Sequence, residues 1–189
     1  MDTHVPTARA LRVGVAALAC LALLAGCVGP SEPADPSDGP TTGTPVTDYE
    51  TFVFDLAPSA DPVIEGGIAT DDESGEQHYV TVLTDGTETD RFDASLLPAD
   101  AAEFVDAVSF ERELLVVIQA FPASSVPDYR VESIARDGPT LHLSIDDSSD
   151  GGTDDVTVET VLVRLPGDAP DNVVVTTEEG ERFELGESG

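Results

Sequence analysis

Hydrophobic positions alternate with polar ones where the folded part of this chain opens. Near Tyr49, Phe52, Phe54 and Leu56 interleave with Thr51, Val53 and Asp55, the period-two pattern of a half-buried strand. Ile64 to Thr70 and His78 to Thr84 predict two more strands, separated by the acidic turn Asp71-Asp72-Glu73-Ser74-Gly75. Between Thr87 and Val108 the period changes. Thr87-Glu88-Thr89-Asp90 resembles a helix start, and Ala102, Val105 and Val108 fall at helical spacing after an acidic first turn, so Pro98 to Val108 predicts a short helix.

Leu114 to Ala120 reads Leu-Leu-Val-Val-Ile-Gln-Ala without alternation, which predicts a strand covered on both faces and central in its sheet. Further strands are expected at Tyr129 to Arg136, Leu141 to Asp146, Val156 to Leu165, Asn172 to Thr177 and Arg182 to Leu185. Asp137-Gly138-Pro139 and Glu179-Gly180 serve as turns. In Val156 to Leu165 the apolar face switches between Val158 and Val161, which predicts a β-bulge or a strand bending between sheets. The fold class expected is mainly β: a β-sandwich or open barrel of about eight short strands, with one or two short helices inserted.

Ahead of this domain the composition has two other regimes. Arg9 and Arg12 precede an uncharged apolar run from Val13 to Leu24, too short for a comfortable membrane span and suited to a signal-peptide core. It ends in Leu24-Ala25-Gly26-Cys27, a lipobox in which cleavage before Cys27 frees a thiol for lipidation. An adjacent Arg pair of the twin-arginine kind is absent from this leader. Val28 to Thr47 is then rich in Pro, Ser, Thr, Gly and Asp, a semi-extended tether on the order of 60 Å at full polyproline stretch. The organisation expected is a lipoprotein signal peptide over 1–26, a lipidated Cys27 and tether over 27–47, and a β-rich extracellular domain over 48–189. Cys20 leaves with the leader, so the mature chain has no intrachain disulfide.

Charge changes the picture of the surface. The chain carries 38 Asp and Glu against 8 basic residues, all of them Arg, for a formal net charge of −30. An acidic excess without Lys or Trp keeps a surface hydrated in concentrated salt, where self-repulsion is screened, and we expect a halophilic protein. Nucleic acid is not an expected partner, because phosphate contacts need the Lys and Arg clusters this chain lacks.

Candidate chemistry is sparse. His78 and His142 stand alone in sequence, and His142 alternates with Leu141 and Leu143, which places it on the polar face of its strand. Ser124 and Ser125 lack a nucleophile elbow, so no catalytic residue is expected. Asp146, Ser148, Asp150 and Gly151 fit the first half of a calcium loop, but Thr157 stands where a bidentate Glu is required. Weak calcium binding there is the one cofactor expectation, against a solvated hairpin loop as the plainer alternative.

From His78 to Gly180 the order runs strand, helical segment, Phe110-Glu111-Arg112-Glu113 into Leu114 to Phe121, a proline loop closed by Tyr129, Asp137-Gly138 and a strand. It ends on Thr160-Val161-Leu162-Val163-Arg164-Leu165-Pro166. This order resembles the C-terminal domain family of the protease complex subunit PrcB. The resemblance implies a non-catalytic β-rich module on a secreted protein, able to partner a protease. The family's Thr-Gly-Gly-Tyr loop is replaced by Ser124-Ser125-Val126-Pro127-Asp128-Tyr129, which keeps the tyrosine alone. The expectation is therefore a protein held on the outer face of the cell membrane by a lipid on Cys27. It would engage a surface protein or protease through Ser124, Ser125 and Tyr129. A calcium or small-ligand module is the alternative, and an extracellular hydrolase a third.

Overall fold

The computed structural model describes residues 43–56, 61–69, 78–121, 129–146, 157–178 and 180–185. The chain divides into two compact units, 1–34 and 35–189, and every described residue belongs to the second. The expected leader and lipobox and most of the expected tether lie outside the described residues.

Among the described residues, nine strands form two sheets. The strands are β1 (Thr44–Pro45), β2 (Glu50–Leu56), β3 (His78–Leu83), β4 (Glu113–Ala120), β5 (Arg130–Asp137), β6 (Thr140–Asp146), β7 (Val158–Pro166), β8 (Asn172–Thr177) and β9 (Arg182–Glu184). One sheet has the order β1-β5-β6-β8-β9 and the other β2-β7-β4-β3. A 3-10 turn (Gly86–Arg91) and helix α1 (Ala99–Asp106) lie between β3 and β4. The expectation of a mainly β sandwich with short helical insertions holds, with nine strands for the expected eight.

Two apolar cores account for the sequence pattern of the four-stranded sheet. Its inner face contributes Val116, Ile118, Val161 and Val163 to the core shared with Leu141, Leu143, Ile145, Val173 and Val175 of the other sheet. Its outer face contributes Leu83, Leu115, Val117 and Leu162 to a second core roofed by Val63, Ile64, Ile68, Phe92, Ala101 and Val105. Hence β4 has no polar face to show, as its unbroken apolar run predicts. The five-stranded sheet buries one face, and β6 alternates accordingly: Leu141, Leu143 and Ile145 are buried while His142 and Ser144 are half-buried.

Four expectations change. The strand expected over Ile64 to Thr70 is not formed over its described residues, 64–69; Ile64 makes an isolated bridge to Phe92, and 64–69 folds as a loop whose Ile64 and Ile68 fill the second core. The helical segment at 87–90 is a 3-10 turn capped two residues earlier, at Asp85, which accepts the Thr87 N–H at 2.7 Å. No bulge interrupts β7, which pairs in unbroken register with β2 and β4. Its apparent switch of face arises because Glu159 and Thr160 are buried polar residues in a strand covered on both sides. The irregularity falls instead in β5, between Val131 and Ser133. Ordered structure also begins before residue 48: Thr44 and Pro45 pair with Arg136 and Ala135.

Candidate functional site

Strand directions give the sandwich two unlike ends. β2 pairs antiparallel with β7, Glu50 facing Arg164 and Leu56 facing Val158, so the chain arrives from Gly43 beside the end of β7. β4 begins at that same end, with Glu113 facing Pro166, and Thr44 faces Arg136 at the end of β5. The opposite end collects the residues that flank 57–60, 70–77, 122–128 and 147–156: Leu56, His78, Ala120, Tyr129, Asp146 and Val158. An eight-residue strand such as β4 separates the two ends by roughly 26 Å.

At the far end a buried polar network fixes the flanks. Tyr129 is buried, and its N–H donates to Glu159 Oε1 at 2.8 Å. Glu159 is 2% exposed and sits opposite Ala120, the last residue of β4. A carboxyl group inside a core is costly unless it is hydrogen-bonded, and here its Oε1 holds the backbone where the chain enters β5. On the other face of the same sheet, Gln119 is fully buried; its Oε1 accepts the Ile68 N–H at 2.9 Å and its Nε2 donates to Thr160 Oγ1 at 3.2 Å. Tyr79 and Arg91 complete that face: Arg91 donates to Tyr79 Oη at 3.0 Å, Thr81 Oγ1 at 3.2 Å and the Glu65 carbonyl at 3.2 Å.

The residues singled out in the sequence are only partly brought together. Tyr129 and Asp146 share the far end, since Arg130 faces Asp146 in the β5–β6 register. Ser124, Ser125, Ser148 and Asp150 lie outside the described residues, as do Leu24, Ala25, Gly26 and Cys27. The two histidines are kept apart. His78 stacks on Phe183 at 4.5 Å between ring centres, with Glu181 Oε2 3.8 Å from its Nε2, closing the β3–β9 edge of the sandwich. His142 sits on the polar face of β6 between Ala135 and Val174. Among the described residues no three His, Cys, Asp or Glu side chains gather as a metal site.

Sequence reasoning missed Glu159 and Gln119. The Glu-Thr interruption of β7 and the Gln in β4 are the signal that could have found them, because a polar residue in a doubly covered strand needs a dedicated partner. Charge is perturbed at the surface instead. The carboxyls of Asp85 and Asp93 lie below the usual aspartate range, the first held down by the Thr87 backbone N–H and the second by the Ser95 hydroxyl and N–H. Glu184 is lowered by its hydrogen bonds from Arg182 and Asn172, with Arg182 and His142 adding positive potential.

Compared with known proteins, the chain matches no family model, no curated protein and no solved structure.

Proposed function

We propose that this chain is a surface lipoprotein whose β-sandwich presents a non-catalytic interaction end to a protein partner outside the membrane. The observation that supports it is the polarity of the sandwich. Chain entry from the tether side lies at one end, and the flanks of the 122–128 and 147–156 segments lie together at the other. A tether attached at one end and connections leaving from the opposite end suit display away from a bilayer. The hydrogen bond from the Tyr129 N–H to Glu159 supports the same reading, since it fixes the backbone at the residue that follows the 122–128 segment. In the sequence resemblance this segment is closed by the family's tyrosine, Tyr129, and a protease is the partner class it implies.

Affinity capture from native membranes in concentrated salt, with wild type and Cys27→Ser, tests the proposal. The wild type is expected in the membrane fraction with one recurrent surface protein, and Cys27→Ser is expected unprocessed and without lipid. A membrane-bound wild type with no partner contradicts the interaction role; a Cys27→Ser chain that fractionates and matures like wild type contradicts the anchor.

A further inference from the structure

One long edge of the sandwich is open. Among the described residues β2 ends the order β2-β7-β4-β3 and pairs with β7 alone, in unbroken register over its seven residues. Beyond that pairing, no backbone hydrogen bond joins 50–56 to another described residue. The other edges are short, bent or closed. β1 has two residues and β9 three, the β5 ladder is irregular between Val131 and Ser133, and β3 meets β9 through the stack of His78 on Phe183. A long straight edge without bulge, Pro or Lys is a template for a further strand.

The side chains of β2 suit a contact. Val53 is 41% exposed, the one large apolar side chain so exposed among the described residues, and it stands between exposed Thr51 and Asp55 on one face. On the other face Phe52 and Phe54 are half-buried with ring centres 6.2 Å apart, and Phe104 of α1 adds a third half-buried ring 5.7 Å from Phe52. Three of the chain's seven phenylalanines thus lie along this edge. The charge of Glu50 is met within the chain by Arg164, whose guanidinium also lies 5.4 Å from the centre of the Phe104 ring.

The strand's own sequence identifies what fits it. Laid antiparallel on a second β2 about a two-fold axis at Val53, all seven residues find partners: Val53 meets its copy, Phe52 meets Phe54, Thr51 meets Asp55 and Glu50 meets Leu56. No like charges face each other, a hydroxyl faces the carboxylate, and the phenylalanines of both copies join in one row. An axis at Phe52 or Phe54 would pair only 50–54 or 52–56 and would set Val53 off the axis.

We infer that this chain self-associates through β2, two sandwiches joining edge to edge across a two-fold axis at Val53. With a formal charge of −30 on each copy, the pairing requires concentrated salt. Antiparallel strands set the chain-entry end of one copy beside the far end of the other. For chains anchored as proposed above, that is the arrangement of two copies reaching from facing membranes; the pairing itself rests on the edge alone.

Disulfide trapping tests it, in the full chain with Cys20→Ser and Cys27→Ser and one new cysteine on an exposed position of β2. In multi-molar KCl, Val53→Cys is expected to oxidise to a covalent dimer. Thr51→Cys alone and Asp55→Cys alone are expected to give about tenfold less, because each residue lies four positions from its own copy in this register, roughly 13 Å along the strand and beyond disulfide reach. A mixture of the Thr51→Cys and Asp55→Cys chains is expected to cross-link as the Val53→Cys chain does, since these positions face each other. All yields should fall as KCl is removed. A Val53→Cys chain that stays monomeric, single Thr51→Cys or Asp55→Cys chains that cross-link as readily, or a mixture that gains nothing over its components each overturns the assignment.

Discussion

Gly67 shows how tightly single residues are specified. A Cβ there would run into Gln119 Oε1 and stand 2.9 Å from Ile64 Cγ2 and 3.0 Å from the Ile64 carbonyl oxygen, so the loop can cross β4 only as glycine. Gly67→Ala is expected to cost about 1–3 kcal/mol through overpacking, read as a lower denaturant midpoint at unchanged slope. An unshifted midpoint would show that the loop relaxes away. Asp85 makes a prediction in pH. Its folded-state carboxyl titrates below the ordinary aspartate value because the Thr87 N–H favours the charged form, so its contribution is present above the unfolded value and lost as pH falls through the lowered one. The Asp85 carboxyl should titrate by NMR at lower pH than an exposed aspartate, and the Thr87 amide should follow the same midpoint. A midpoint at or above the ordinary value would remove the cap.

At the scale of elements, β4 and β7 hold the molecule together because each serves two cores. Leu115 is fully buried beneath α1 and its neighbours, and Leu115→Ala is expected to cost about 2–5 kcal/mol in a chemical unfolding curve. Glu159→Ala removes the acceptor of the Tyr129 N–H, so hydrogen exchange at the Tyr129 amide should quicken by about tenfold, given roughly 1.4 kcal/mol per decade and the modest net worth of such a bond. Unchanged protection would mean that packing alone holds Tyr129. These elements also show what was legible in the sequence. The doubly covered β4, the alternation of β6 and the helix at 99–106 followed from period and apolar content, because burial of one or both faces is written directly into the residues. Ile64 to Thr70 misled because its apolar residues serve as a roof over a sheet, and a roof needs apolar side chains without needing a ladder. β7 misled because two buried polar residues mimic a change of face. β1 was invisible: two exposed residues pairing with β5 leave no pattern.

At the scale of the molecule, polarity could not be read from sequence at all, since it depends on which ends of antiparallel strands adjoin. Once the strands are placed, Tyr129 and Asp146 meet at one end and the chain arrives at the other. The charge of −30 belongs to this scale too. Self-repulsion on this order destabilises a compact state when unscreened, and the Debye length shrinks to about 3 Å at 1 M salt. The thermal midpoint is therefore expected to rise steeply with KCl, and a midpoint independent of salt would contradict the halophilic reading.

Photo-cross-linking in native membranes tests the central claim most directly, with the reactive residue placed at Ser124 in one chain and at Asp137, beside the chain-entry end, in another. The account predicts one recurrent surface protein captured from position 124 and not from 137. Capture from 137 alone, or equally from both positions, would contradict a sandwich that displays its far end.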